Sequence, residues 1–180
     1  MSDWKLLNEF VRVGSKWLTL IGESWLCDKG RKLEYWRVEK VDSVIVLPIQ
    51  AGRLFCVNPT FRVGIHRSTL DFPGGRLPEG KQPKEIVHSL LECELSIPAA
   101  AIRKTIELNK KKWIINSSFS NQGLWGFVAE IDEAFTIPEC CIGANVMANE
   151  SGVSDLLSRL ECLQCRMVLL EWQNQKKSVC

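Results

Sequence analysis

The spacing of apolar residues changes several times along the chain and predicts a mixture of helices and strands. A short helix is predicted from Asp3 to about Val13, where apolar residues recur at helical spacing. From Trp17 onward aromatic and aliphatic residues dominate, and after a turn signal at 28–31 the segment 33–38 alternates in polarity. That pattern predicts a β-hairpin. The apolar positions of the predicted helix are Trp4, Leu7, Phe10 and Val11.

Three apolar segments further along are typical of core strands. Residues 42–49 form a continuous apolar run, which predicts a strand buried on both faces. The turn at 51–53 leads to a partner strand at 54–58, and we expect a last core strand at 123–132. Residues 140–152 are expected to be irregular.

A long C-terminal helix is predicted from Ser154 to about Gln173. Ser154 and Asp155 would cap its first turn, and a stripe of apolar residues at helical spacing would be buried. The whole pattern predicts one domain of the α+β or α/β class, with a mixed sheet and flanking helices. The stripe consists of Leu156, Leu160, Leu163, Met167 and Leu170.

Composition and charge narrow the range of partners. The 180 residues are 46% hydrophobic and 24% charged, which is enough apolar side chain for one globular core. Because 23 basic and 21 acidic residues leave a net charge of only +2, nucleic acid is not the expected partner. Asp3, Lys5 and Glu9 interrupt any apolar run at the start of the chain, so we predict a cytoplasmic protein without a membrane span.

The chain contains eight cysteines, scattered along its length. In a cytoplasmic protein such residues are mostly reduced and buried as small hydrophobic side chains. Cys162 and Cys165 form a Cys-X-X-Cys pair, but they lie within the apolar stripe of the predicted helix, and no second pair has a compatible spacing. We therefore predict packing roles for them rather than a metal or redox role.

Residues 71–97 carry the most informative candidate chemistry. Gly74 and Gly75 follow an apolar stretch, and because neither has a Cβ the backbone can turn tightly and approach a ligand. Pro83 suits the first turn of the amphipathic helix that follows. A loop and helix of this kind can hold a phosphate and a metal when carboxylates line the helix.

The length and punctuation of residues 75–97 resemble the Nudix box. In that pattern Gly is followed by five residues, Glu, seven residues, Arg-Glu, an aliphatic residue, any residue, Glu-Glu, any residue, Gly and an aliphatic residue. From about residue 15 to 135 the chain is similar to the ADP-ribose pyrophosphatase branch of the Nudix hydrolases. The surrounding features that support this are the predicted hairpin, the strand at 42–48, Phe61-Arg62 and the approach at 72–75.

The resemblance implies an α+β fold: a Nudix-type mixed β-sheet sandwiched by helices, with an N-terminal hairpin and a long C-terminal helix. We expect residues 1–40 to form an N-terminal extension of helix and hairpin, and residues 41–180 to form the Nudix-like domain. It also implies a pyrophosphohydrolase that cleaves a nucleoside diphosphate linked to another moiety, with Mg²⁺ or Mn²⁺ as cofactor. Proteins of this branch often form homodimers through N-terminal strands, and the aromatic hairpin suits such a contact.

When residues 75–97 are compared with the box position by position, however, they depart from the family pattern. Glu94 is the only box carboxylate retained on the helix. Positions 90, 93 and 94 share one helical face, where carboxylates would clamp a divalent ion together. Leucine cannot bind Mg²⁺, and a neutral thiol is a soft, poor substitute. Gly75 agrees with the pattern, whereas Lys81, Ser89, Leu90, Cys93 and Ser96 depart from it.

Other acidic residues do not restore this face. Glu92 points away from it, because it lies about 100° round the helix from Cys93. Two acids flank the loop and three lie at or after the end of the last core strand; the family often takes a general base from a later loop. These acids are Glu79, Glu85, Glu130, Asp132 and Glu133.

Lys81 suggests a different use of the cleft. A lysine in place of the first box Glu could neutralise a diphosphate directly, with Arg62 and Arg76 as further anion contacts beside Gly74 and Gly75. Alternatively, Lys81 is a solvated surface residue of an altered loop.

Three functions therefore stay open, and the fold alone does not choose among them. The first is a Nudix-fold protein with lost or strongly reduced hydrolysis that binds a nucleotide-type ligand or a protein partner. The second is an active ADP-ribose or nucleotide-sugar pyrophosphohydrolase with an unconventional metal site, in which Glu94 is the catalytic and metal-binding carboxylate. The third is a structural scaffold. The substitutions in the box favour the first.

Overall fold

The computed structural model of the chain describes residues 4–178, which form antiparallel and mixed sheets together with helices. The strands are β1 (Lys5–Gly14), β2 (Thr19–Leu26), β3 (Lys32–Glu39), β4 (Ser43–Gln50), β5 (Arg53–Arg62), β6 (Arg67–Asp71), β7 (Gly74–Arg76), β8 (Ile102–Glu107), β9 (Trp113–Ile114), β10 (Gly123–Ile131) and β11 (Ile142–Met147). The α-helices are α1 (Val87–Leu95), α2 (Glu150–Arg159) and α3 (Leu163–Lys177).

These residues form two compact units. The first contains the described residues up to Asp42 together with Ile114–Gly123, and the second contains Ser43–Trp113 and the described residues from Leu124 onward. The expected division into an extension of 1–40 and a domain of 41–180 stays a prediction.

The first unit is built on an antiparallel sheet of three strands in the order β1-β2-β3. The predicted hairpin is confirmed, because β2 and β3 pair from Thr19 opposite Glu39 to Leu26 opposite Lys32. Glu23 is 2% exposed at the centre of this sheet and accepts hydrogen bonds from Arg37 and from the indole Nε1 of Trp25.

The predicted N-terminal helix is wrong over the described residues: this segment is β1, and Asp3 lies outside them. The strand pairs irregularly with β2, with register shifts between Leu6 and Asn8 and between Glu9 and Val11. Each shift breaks the two-residue alternation of side chains, so the apolar positions come to be spaced as in a helix.

The second unit is a mixed sheet with the strand order β11-β5-β4-β10-β8, to which β6 and β7 add beside β5 and β4. Strands β4 and β10 run parallel, whereas β8 with β10, β11 with β5, β5 and β7 with β4, and β6 with β5 pair antiparallel. One face of the sheet packs on α1, where Val44, Val46 and Phe127 meet Leu91. On the other face, Val168 of α3 lies over Gly126, since a Cβ added there would be 3.1 Å from Cγ2 of Val168. The predicted α+β fold, with a mixed sheet between helices, is confirmed.

The predicted core strands are confirmed as β4, the first half of β5, and β10. Residues 140–152 were expected to be irregular, but Ile142–Met147 form β11, which pairs with β5 from Ile142 opposite Val57 to Met147 opposite Arg53. β11 is short and contains small residues, so the alternation of apolar and polar side chains that predicts a strand is weak in this segment.

The C-terminal segment contains two helices where one was predicted. Asn149 is the N-cap of α2, and its side chain accepts a hydrogen bond from the Gly152 N–H at 2.9 Å, so the predicted cap at Ser154-Asp155 is wrong. Leu160 and Cys162 have extended backbones, and α3 starts after them. None of the helices within residues 4–178 is long and apolar enough to cross a membrane.

The break also moves the buried face of the second helix. Leu156 and Leu160 are buried as predicted, but Leu163 is 72% exposed. Met167 and Leu170 lie near the surface as well, and the helix instead buries Cys165, Val168 and Leu169.

Candidate functional site

The candidate site is built on the loop between β6 and α1. Strand β6 ends at Asp71, and β7 then pairs with β4, with Gly74 opposite Ile45 and Gly75 opposite Val44. Gly74 approaches its neighbour closely, because an added Cβ would lie 3.2 Å from the carbonyl oxygen of Val44. The double glycine therefore lets β7 lie tightly along β4 in front of the helix.

The loop enters the helix through a short 3₁₀ turn, Pro83–Ile86. Gln82 and Glu85 form a reciprocal capping box there, in which Oε2 of Glu85 accepts a hydrogen bond from the Gln82 N–H at 3.1 Å. At the other end Ser96 has a left-handed backbone with φ of 55°, at the position where the Nudix box has its second glycine. The backbone thus suits the Nudix box pattern, although the side chains at most of the box positions differ from it.

The helix face that would carry the metal ligands is largely apolar. Leu90 is half-buried and packs onto the core, and its Cδ2 atom would lie 2.6 Å from a Cβ placed on Gly75. Cys93 is exposed on the same helix. Leu90 therefore fills the space between α1 and the glycine loop.

Glu94 is the one box carboxylate on this face. It is half-buried, and its Oε2 atom accepts a hydrogen bond from the Gly74 N–H at 3.4 Å. Burial raises the pKa of Glu94, whereas the Gly74 hydrogen bond and the charge of Arg62 lower it in part. The protonated form is therefore favoured more than at an exposed glutamate.

Arg62 lies at the end of β5 and is already paired. Its Nη2 and Nε atoms donate to Oδ2 of Asp71 at 2.6 and 3.1 Å, and Asp71 is only 4% exposed. Thr69 donates to the same oxygen at 2.7 Å. The carboxylate thus holds the guanidinium that was predicted to contact a substrate anion.

The structure brings together some of the predicted site residues. Gly74 and Glu94 are in contact, and Arg62 is near enough to Glu94 to lower its pKa. Arg76 and Lys81 are exposed, and the Lys81 N–H donates to the Pro78 carbonyl at 3.2 Å in a turn of the loop. Both cations are accessible to an anion in solvent.

The donor set does not fit the Mg²⁺ or Mn²⁺ that the fold family implies. The helix face offers one half-buried carboxylate, a leucine packed on glycine and a thiol, whereas these ions require several oxygen ligands. Two of the other acids considered are engaged elsewhere. Glu85 caps Gln82, and Asp132 pairs with Arg103 and accepts from the Ala134 N–H, both at 2.9 Å.

Sequence reasoning did not place Asp71 beside the Cys-X-X-Cys pair. The Cys165 thiol donates to Oδ1 of Asp71 at 3.5 Å, and Cys162 lies beside them, so that one ligand atom of each of the three residues lies within 4.8 Å of the others. The Cys-X-X-Cys spacing was the available signal. It was attributed to the stripe of a continuous helix, and that stripe is interrupted before Cys162.

The first unit contains a separate cavity of about 410 Å³. Its aromatic lining suits a flat ring, and the Glu23–Arg37 pair supplies polar groups at its wall. The abundance of tryptophan in the hairpin was the sequence signal for it. The aromatic residues of the lining are Trp4, Trp25, Tyr35 and Phe119.

Comparison with known proteins supports the fold. No family model matches the chain, and no curated protein matches it. Among solved structures it is similar to a protein described as an ADP compounds hydrolase, a Nudix family member, with a TM-score of 0.75 and 18% sequence identity. The match covers 98% of this chain and 95% of that chain. The likeness shows a Nudix-type fold, in agreement with the resemblance of residues 75–97.

Proposed function

We propose that this protein binds a nucleoside-diphosphate-type ligand and has lost, or strongly reduced, the hydrolysis associated with its fold. The observation that carries the proposal is the contact of Leu90 with Gly75, which places an apolar side chain where the box pattern has a metal-binding carboxylate. Without a divalent ion, neither an attacking water nor a leaving phosphate is well stabilised.

The state of Glu94 supports the same conclusion. Its pKa is raised by burial and it accepts the Gly74 N–H, so its oxygens are less suited to hold a cation than those of a carboxylate cluster. A single carboxylate also leaves most of an octahedral shell to water or substrate. Metal binding of that kind would be weak.

The ligand class rests on the fold and on the loop. The similar structure is described as an ADP compounds hydrolase, which favours a ligand with a diphosphate. In the present chain the exposed Lys81 and Arg76 flank Gly74 and Gly75, and we assign them as the contacts to that diphosphate. Arg62 is already paired with Asp71, so we assign it an electrostatic contribution to ligand binding rather than a direct contact.

The hydrolysis experiment separates this proposal from an active enzyme. The purified protein is incubated with ADP-ribose and related nucleotide sugars, with Mg²⁺ and with Mn²⁺, beside a Glu94→Gln variant. We expect wild type and variant to release the same trace of product. Metal-dependent turnover that disappears in Glu94→Gln would instead establish a pyrophosphohydrolase with an unconventional metal site.

The binding experiment separates it from a scaffold. Thermal shift is measured with ADP-ribose in the absence of divalent ions, using wild type, Lys81→Ala and the matched control Lys84→Ala, which removes another exposed lysine of the same loop. We expect stabilisation of wild type and of the control, and a reduced shift for Lys81→Ala. If no nucleotide shifts the melting temperature of the wild type, the scaffold function is favoured.

We also propose that the chain forms a homodimer through β1. This strand is the edge of its sheet within the described residues, and it carries exposed apolar side chains, of which Val13 is 60% and Leu6 45% exposed. An edge strand with an apolar surface can pair with the same strand of a second copy, and such a contact is self-complementary.

Light scattering tests the dimer over a range of protein concentrations. We expect wild type to dimerise, and a variant carrying Leu6→Lys and Val13→Lys to be monomeric. Val63→Lys is the matched control, because Val63 is 75% exposed and lies in the other unit. A wild type that stays monomeric at all concentrations would refute the proposal.

A further inference from the structure

The region where α3 begins contains a cluster of one carboxylate and two thiols, of which the proposed function uses only the pairing of Asp71 with Arg62. Asp71 is the last residue of β6, Cys162 is the N-cap of α3, and Cys165 lies in the first turn of that helix. The cluster is thus assembled from parts of the chain that are 94 residues apart, as measured between Asp71 and Cys165.

We propose that Asp71, Cys162 and Cys165 form a zinc site, in which two thiolates and one carboxylate bind the ion and the fourth position is open to water. The three ligand atoms lie within 4.8 Å of one another. Two ligand atoms of a tetrahedral zinc ion with bonds of 2.0–2.3 Å are about 3.3–3.8 Å apart. The Cys165 sulfur and Oδ1 of Asp71, at 3.5 Å, already have that separation.

The carboxylate is held in place for this role. Oδ2 of Asp71 accepts hydrogen bonds from Arg62 and Thr69, which leaves Oδ1 directed at the sulfur of Cys165. Outer groups of this kind fix the orientation of a metal ligand and are part of most protein metal sites.

Charge and burial also favour an ion here. Asp71 and Cys165 are 4% and 1% exposed, so ligands that lose their protons need compensating charge. Two thiolates, one carboxylate, the Arg62 guanidinium and a divalent ion together carry no net charge. Cys162 is half-buried, which provides a route of entry from solvent.

The chemistry of the ligands selects zinc over the ions that the fold family uses. Thiolates are soft ligands that bind zinc well and Mg²⁺ poorly. The site also differs in position from the Nudix helix face, because its sulfurs come from the start of α3 and not from α1. Neither cysteine is among the residues assigned to the diphosphate, so zinc binding can be tested separately from ligand binding.

The experiment uses the reduced full-length protein, freed of metal by a chelator and titrated with Zn²⁺ and with Co²⁺. We expect one equivalent of zinc per chain, a raised melting temperature, and a sulfur-to-cobalt charge-transfer band with Co²⁺. Cys162→Ser should weaken zinc binding by about 100-fold and remove most of the cobalt band. Since Cys162 is half-buried, this variant is also expected to fold.

Cys140→Ser is the matched control. Cys140 and Cys141 are a second pair of neighbouring thiols, with sulfurs 3.9 Å apart, and this variant should keep the affinity of the wild type. Equal zinc binding by wild type and Cys162→Ser would overturn the proposal. So would a Cys162–Cys165 disulfide in the protein purified under reducing conditions, detected as the loss of one pair of hydrogens by mass spectrometry.

Discussion

Leu90 covers the α-carbon of Gly75, and a Cβ built on that glycine would lie 2.6 Å from Cδ2 of the leucine. The first glycine of the box and the first position of its metal-binding face are therefore joined by an apolar contact. The contact ties β7 to α1 and contributes to the core of the second unit.

This contact predicts energetic coupling between the two positions. Gly75→Ala should destabilise the protein by about 1–2 kcal/mol, because the new methyl group overpacks against Leu90. In the presence of Leu90→Ala the same substitution should cost much less, since the opposing side chain has been removed. Urea unfolding of the single and double variants measures the coupling. Additive changes in the free energy of unfolding would show that positions 75 and 90 are not energetically coupled.

Restoring carboxylates should restore metal binding. A variant with Leu90→Glu and Cys93→Glu places three carboxylates, together with Glu94, on one face of α1. We expect it to bind Mn²⁺ at least about tenfold more tightly than wild type, measured by calorimetry. The same variant with Glu94→Gln added is the control and should lose most of the gain. Circular dichroism is used to check that both variants are folded. Equal Mn²⁺ affinity of wild type and folded variant would contradict the assignment of this face.

Glu94 should make stability depend on pH in a defined direction. Its pKa in the folded protein is raised by burial above the ordinary value of 4.5, so its contribution to stability is fully present below that value and is lost as the pH rises through the folded pKa. Glu94→Gln keeps an acceptor for the Gly74 N–H but carries no charge. We expect it to be more stable than wild type at pH 7, with the difference shrinking toward pH 4, as measured by urea unfolding. A variant that is less stable at pH 7 would contradict this.

Glu23 should have the opposite pH dependence. Hydrogen bonds from Arg37, followed by one from Trp25, hold the pKa of Glu23 below the ordinary value of 4.5. The contribution of Glu23 to the stability of the fold is therefore present above pH 4.5 and is lost as the pH falls through the lowered pKa. Glu23→Gln should lower the free energy of unfolding by about 1–3 kcal/mol at pH 7. The difference in the free energy of unfolding between variant and wild type should diminish in acid. A constant difference from pH 7 to pH 3 would contradict the lowered pKa of Glu23.

The sequence was sufficient to predict the elements whose side-chain pattern does not depend on distant parts of the chain. The continuous apolar run of β4 and the punctuation of the loop before α1 were both recognised, and with them the α+β fold. β1 was not recognised, because its register shifts depend on where β2 pairs with it. A cytoplasmic location and the roles of the site residues stay predictions.

The candidate site could be predicted only in outline. Gly74, Gly75 and Glu94 follow from the spacing of the box, but the pairing of Arg62 with Asp71 depends on how β5 and β6 align. Cys162 and Cys165 show the same limit. Their surroundings are set by an interruption of the helix that no proline or glycine marks in the sequence.

The interruption at Leu160–Cys162 bears on how the length of the chain can vary during evolution. In a continuous helix an inserted residue would rotate everything after it by about 100° and turn the buried side chains outward. Here the helix is interrupted, and α3 is oriented by its own contacts on the sheet, such as that of Val168 with Gly126. Insertions or deletions in homologues should therefore concentrate at this connection, while the phase of α3 is kept.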